Sequence, residues 1–218
     1  MKNGTASYFS EAEFQILLEL SGEGKYALFR TGQELSEASL IRALWCLFKR
    51  GMLKKTDSSF ELNENTQVFR QIRSAKAVVL FRRTEPVTTS VAFYLGEREV
   101  WSSELMQIGE EPSIRVCQLN RGSVYQWLLD TEWLPSTTLQ NEDVEELEKL
   151  TPEWEPQKAH GPVVEIEKYD HTGKVIRRYT VDCGGAWHWI SINGMEKELF
   201  TQEAVEQMLS DCFGKEER

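Results

Sequence analysis

The sequence predicts an α+β protein: an N-terminal winged-helix-like module, then a pseudo-two-fold duplicated antiparallel-sheet body with covering helices. Three observations predict it. The first 75 residues alternate strongly capped helical stripes with short extended runs. From Lys76 onward the pattern changes to strand-length apolar runs bounded by turn residues. That strand-rich pattern occurs twice, each time as a meander of about four strands followed by a helix.

The first helix is announced by Ser10-Glu11-Ala12-Glu13, a capping box with Ser10 as N-cap and Glu13 at N3. Phe9 and Phe14 flank it as a hydrophobic staple. Phe14, Leu17 and Leu18, with Leu20 beyond them, form one apolar stripe at helical spacing. Ser21-Gly22 and Gly24 end the helix. Tyr26 to Phe29 reads as a short extended run. A second helix starts at Ser36, and Leu40, Ile41, Leu44, Leu47 and Phe48 are expected to be its buried face. Gly51 stands where a C′ glycine belongs. Met52 to Lys55 and Phe60 to Leu62 bracket Thr56-Asp57-Ser58-Ser59, which predicts a small two-stranded wing. Asn65 is the expected cap of a further helix carrying Val68, Phe69 and Ile72.

Ala77 to Phe81 is a continuous apolar run, as in a buried strand. Ser90 to Leu95 and Glu99 to Leu105 flank the turn Gly96-Glu97-Arg98. Ile114 to Leu119 is a further strand, and Asn120 opens a helix with Val124, Trp127 and Leu128 on one face. Asn141 caps a short acidic helix with Val144, Leu147 and Leu150. Thr151 to Pro162 holds three of the six prolines and reads as a linker. Val163 to Tyr169 and Val175 to Val181 are joined by Asp170-His171-Thr172-Gly173. Ala186 to Ile192 and Met195 to Phe200 are joined by Asn193-Gly194, a strong hairpin signal. Thr201 caps a last helix with Ala204, Val205, Met208 and Leu209. The segments are therefore 1–75, the winged-helix-like module; 76–150, the first meander with its helices; 151–162, the linker; and 163–218, the second meander with the last helix. Residues 76–218 are read as one body.

No apolar run approaches the roughly 20 residues that span a bilayer, and Met1 to Ser7 lacks the apolar core of a signal peptide. The four cysteines, Cys46, Cys117, Cys183 and Cys212, are scattered, as in reduced thiols. A cytoplasmic protein without membrane insertion is expected. The formal net charge is −10. It divides unevenly: residues 1–83 carry +4 and residues 84–218 carry −14. The acidic remainder disfavours nucleic acid.

The chemistry-bearing residues form no recognisable set. His160, His171 and His188 fall in a linker, a turn and a strand, so no metal site and no cofactor are expected. Cys183-Gly184-Gly185 reads as a hairpin loop rather than a reactive thiol. No catalytic residue is assigned, and there is no glycine-rich phosphate cradle. Trp187 and Trp189 share one strand face and read as core. Trp133 and Trp154, in loop-like context, are the expected exposed aromatics for protein contact. Arg42, Lys49, Arg50, Lys54 and Lys55 would be the nucleic-acid contacts of a winged helix. The start of that candidate recognition helix, Ser36-Glu37-Ala38-Ser39, is acidic and poor in base-reading side chains.

The capped first helix, the extended segment, the helix ending in Arg50-Gly51-Met52-Leu53, the hairpin, the helix through Ile72 and the strand Val78 to Phe81 together resemble the EspG family. These are proteins associated with ESX (type VII) secretion. The resemblance covers residues 7–105 as a pattern of elements and the remainder as topology. It implies a non-enzymatic cytosolic chaperone or adaptor that binds a helical protein client and needs no cofactor. No client-binding residue carries over. The alternatives are a winged-helix DNA-binding regulator with a β-rich sensing domain, and an enzyme of unrecognised type.

Overall fold

A computed structural model of the chain describes residues 6–22, 35–83, 89–97, 99–108, 111–135, 162–184, 187–195 and 197–214. The α+β class is correct: helices accompany a large antiparallel sheet of nine strands, in the order β1-β7-β6-β5-β4-β8-β9-β10-β11. These strands are β1 (Ser7–Ser10), β4 (Ala77–Arg83), β5 (Thr89–Leu95), β6 (Glu99–Ile108), β7 (Glu111–Asn120), β8 (Pro162–Asp170), β9 (Val175–Gly184), β10 (Trp187–Ile192) and β11 (Lys197–Leu199). A separate hairpin pairs β2 (Leu53–Lys55) with β3 (Phe60–Leu62). The helices are α1 (Glu11–Leu20), α2 (Glu37–Lys49), α3 (Gln67–Arg73), α4 (Val124–Asp130) and α5 (Gln202–Phe213). The expected strand Tyr26 to Phe29, the acidic helix after Asn141 and the linker through 161 lie outside the described residues.

The chain divides into two compact units, each discontinuous in sequence. The first comprises Met1–Val78, Val91–Leu119 and Asp170–Lys174. Its first strand has no periodic signal of its own in the sequence: β1 adds to β7, with Phe9 opposite Ile114. The capping box closes α1 as expected. Glu13 N–H donates to Ser10 Oγ at 3.2 Å, and Ser10 N–H donates back to Glu13 Oε2 at 2.9 Å. Phe14, Ile16, Leu17 and Leu18 are buried, whereas Leu20 is exposed. Phe69 of α3 takes the edges of Phe9 and Phe14, with centroids 5.3 and 5.7 Å away. The N-cap position of α3 falls on Thr66, not on the expected Asn65. Glu64–Thr66 form a 3-10 turn, and Thr66 precedes α3 without a side-chain cap, so the local turn displaces the N-terminus by one residue. On β5 every residue from Val91 to Leu95 is buried. Ser103 Oγ donates to the Tyr94 hydroxyl at 3.1 Å, and burial pushes that phenol up to about 12.

The second unit comprises Val79–Ser90, Asn120–Tyr169 and Val175–Arg218. Phe81 stacks on Phe213 and meets Trp133 edge to face, both at 6.5 Å between centroids. The hairpin turn is as its sequence dictates: Asn193 and Gly194 both have positive φ, 52° and 74°. On α5, Thr201 caps Ala204 N–H. The C-terminal turn of that helix is tied to the sheet at Asp211, whose Oδ2 accepts from Tyr179 Oη at 2.7 Å and whose backbone oxygen accepts from Lys168 Nζ at 2.5 Å. Across β4, β8 and β9, the buried Glu167 gathers Arg82, Arg178 and Tyr169. Burial alone would raise its carboxyl. Hydrogen bonds from Tyr169 and Arg178 and the charges of Arg82 and Arg178 outweigh it and hold the group below the ordinary carboxylate range.

Candidate docking surface

Helix α2 begins where Ser36 Oγ accepts from Ser39 N–H at 3.2 Å. It ends at Arg50, after which Gly51 takes φ +68°, a conformation that favours glycine. Its apolar residues span a wide arc, because Leu47, Leu40, Leu44, Phe48, Ile41 and Trp45 follow one another around the helix at about 100° per residue. The sequence predicts burial of Leu40, Ile41, Leu44, Leu47 and Phe48. The fold buries only Ala43 and Leu47 on this helix. Leu40 and Leu44 are half-buried, while Ile41, Trp45 and Phe48 are 60, 57 and 40% exposed. Among the described elements α2 packs chiefly on α1 and β2; its apolar arc is broader than that contact, and one edge stays exposed.

That edge is ordered by its own contacts. Trp45 stacks on Phe48, with centroids 6.0 Å apart and planes 23° apart. The Lys49 ammonium stands 5.2 Å from the centre of the Trp45 ring. Phe48 in turn meets Phe60 of the hairpin at 6.3 Å, edge to face. The hairpin is positioned by its inner face, where Leu53 and Leu62 are opposite each other and buried. Lys55 is opposite Phe60 in the register and shares its face. Its tip is closed by Thr56, which donates its N–H to Ser59 O and takes Ser59 N–H on its hydroxyl. Ile41, Trp45, Phe48 and Phe60 thus make a continuous apolar strip across one helix and one hairpin.

The basic residues around this strip are of two kinds. Arg50 belongs to the fold: its guanidinium donates to Glu13 Oε1 and to the backbone oxygen of Tyr8, both at 3.2 Å, and lies over Phe9 at 5.0 Å. It locks the end of α2 to the capping box of α1 and to the edge strand β1. Lys54 pairs with Glu61 at 3.2 Å on the outer face of the hairpin. Arg42, Lys49 and Lys55 are exposed, and among the described residues no carboxylate pairs with them.

Trp133 is not the exposed contact its loop-like sequence suggests. It is 2% exposed, follows α4 with its N–H donated to Leu128 O, and is covered by Phe81 and by the Arg83 guanidinium at 5.1 Å. The turn after α4 folds back on the sheet and takes the indole with it. Trp154 lies outside the described residues. The sequence missed Trp45; its place in a stripe with Ile41 and Phe48 was visible, but not which side of the stripe would be covered.

Elsewhere, burial acts on three of the described reactive groups. Burial raises the thiols of Cys117 and Cys212, the latter to about 12, which leaves little thiolate for nucleophilic chemistry. Burial lowers His188, whose ring meets Phe200 edge-on at 6.0 Å. Among the described residues, no group of three His, Cys, Asp or Glu side chains converges on a metal-sized site. A hollow of about 540 Å³ between Gln71, Lys76, Glu97 and Trp101 is spanned by an exposed Lys76–Glu97 pair at 2.9 Å. A groove of about 590 Å³ is lined by the start of α4 and by α5, including Arg121, Tyr125, Glu206 and Phe213. None of the described helices is long and apolar enough to cross a membrane. No family model matches the chain, and no curated protein sequence matches it.

Proposed function

We propose that this protein is a non-catalytic adaptor or chaperone that holds a helical segment of a client protein on the strip formed by Ile41, Trp45, Phe48 and Phe60. The observation that carries this reading is the exposure of three large apolar side chains at positions i, i+4 and i+7 of one helix. Such spacing presents a ridge that an amphipathic helix can pack against, and an exposed aromatic–aliphatic cluster is the usual anchor of a protein interface. The finer architecture in this proposal is a winged-helix-like module through residue 75, whose third element and wing carry the strip. A pseudo-two-fold duplicated body completes it. The resemblance to the EspG family gives the client class: helical substrates of a type VII-like secretion system, met in the cytoplasm.

Photo-crosslinking tests the reading. A benzoylphenylalanine placed at Ile41 or Phe48 is expected to capture a helical protein in the native cell. The same group at Met195, an isolated apolar residue 72% exposed in the β10–β11 turn, is expected to capture none. Equal capture at all three positions would remove the case for a dedicated surface. Arg42, Lys49 and Lys55 also suit a phosphate backbone, so the same cells are treated with nuclease; crosslinks to DNA alone would transfer the surface to the regulator reading.

A further inference from the structure

Three exposed cations border the strip. Arg42 follows Ile41 and Lys49 follows Phe48, each one step around the helix, so both border the same side of the ridge. Lys55 stands beside Phe60, where the strip reaches the hairpin. Arg50 and Lys54, one and five residues after Lys49, have carboxylate partners; among the described residues, Arg42, Lys49 and Lys55 have none. An apolar helix lying on Ile41, Trp45 and Phe48 would strip water from these three cations and give nothing back. A helix with carboxylates at the border of its apolar face would compensate each of them, steer the encounter and fix the register.

Resting on the docking reading above, we infer that the partner segment is an amphipathic helix whose apolar face is bordered by Asp or Glu where it meets Arg42 and Lys49 along α2 and Lys55 at the hairpin. A nucleic acid is the competing polyanion. Single strands bind by stacking bases on free aromatic faces, but the Trp45 ring is already engaged by Phe48 and by the Lys49 ammonium. Ile41, the most exposed of the three apolar residues, offers a base no ring to stack on. Three cations are also few beside the roughly six to ten phosphate contacts of a typical DNA-binding protein.

The test uses the full chain and two labelled helical peptides of about 18 residues, long enough for stable turns once docked. Both carry Leu and Phe at i, i+3, i+4 and i+7; one has Glu at the bordering positions and the other Gln. Fluorescence anisotropy is expected to show the Glu peptide binding about tenfold tighter, equivalent to about 1.4 kcal/mol. The advantage should shrink as salt rises from about 0.05 M to about 0.5 M. A Lys49→Gln/Lys55→Gln variant should lose the advantage of the Glu peptide over the Gln peptide. Equal affinity for the two peptides overturns the acidic partner and leaves the docking surface standing. Failure to bind either peptide, or binding indifferent to Ile41→Ser with Trp45→Ala, overturns the docking surface itself. A single-stranded oligonucleotide that binds more tightly than the Glu peptide, and loses affinity in the lysine variant, overturns the inference in favour of nucleic acid.

Discussion

Helices α1 and α2 are written in the same vocabulary and put to different uses. Both start at a serine whose hydroxyl accepts an N–H three residues on, and both carry a broad apolar arc. In α1 six of ten residues are buried; in α2 only Ala43 and Leu47 are, out of thirteen. The difference does not come from hydrophobicity. It comes from neighbours: Phe9, Phe69 and the strands of the first unit close over α1, whereas α2 is held by one narrow face and by Arg50 at its end. An apolar arc on a helix is therefore a statement of capacity, and the packing decides how much of it becomes core.

The sharpest way to break the comparison is to shorten the same residue type in each helix. Leu17 is fully buried, so Leu17→Ala should lose its transfer energy and leave a cavity, at a cost of about 2–5 kcal/mol in urea unfolding. Leu44, half-buried on α2, should cost about 1–2 kcal/mol on the same assay. If the two costs were equal, α2 would be as much a core helix as α1, and the case for its free edge would weaken.

The next effect concerns the caps. Glu13 serves two donors, Ser10 N–H and the Arg50 guanidinium, so Glu13→Ala should cost about 1–2 kcal/mol. Part of that loss should vanish in an Arg50→Ala background, because the two side chains act together. The cap of α2 is a single exposed serine, and Ser36→Ala should cost about 0.5–1 kcal/mol. Full additivity of Glu13→Ala and Arg50→Ala would show that Arg50 is not the lock between the helices, and would return it to the set of free cations.

The contrast between engaged and available charge extends to the second unit. Glu167 sits below its ordinary range because Tyr169, Arg178 and Arg82 overcome the effect of burial. A carboxyl depressed by folding stabilises the native state above its unfolded value, and that stability is lost as the pH falls through the folded value. Arg178→Met should raise the folded value, so acid unfolding should begin at a higher pH than in the parent. Lys55→Met, which touches no carboxylate among the described residues, should leave the acid transition in place. An unchanged transition in the Arg178 variant would mean that the network contributes nothing to folding.

These contrasts also mark what was legible in the sequence. The capping box at Ser10, the cap at Ser36, the glycine at 51 and the Asn193-Gly194 turn are local signals, and each is used as read. Strand β1 is not legible locally, because four residues carry too little periodicity; what makes it a strand is a distant partner, β7. The burial of Trp133 is not legible either, because a loop composition says nothing about whether the loop folds back; Phe81 and Arg83 cover it. The docking strip was half legible. The arc of α2 could be drawn from spacing alone, but the division of that arc between core and water is a tertiary fact.

The smallest effect on stability is the one on which the functional reading depends most. Trp45 is more than half exposed, and its ring contacts among the described residues are with its own helix neighbours Phe48 and Lys49. Ile41 is more exposed still. Replacing a core tryptophan or isoleucine would cost several times more than replacing a solvated one, because little area is returned to water. Trp45→Ala and Ile41→Ser should each change unfolding free energy by no more than about 1 kcal/mol, while each weakens capture of a helical partner at least about tenfold if the side chain anchors the interface. Such residues are worth their exposure only if something other than the fold uses them. A loss of stability above about 1.5 kcal/mol in either variant, with binding reduced in proportion, would instead make the strip part of the packing of the first unit. Unchanged stability with unchanged binding would leave it as ordinary surface. Only the split outcome, a fold that does not notice the substitution and a partner that does, belongs to a docking helix.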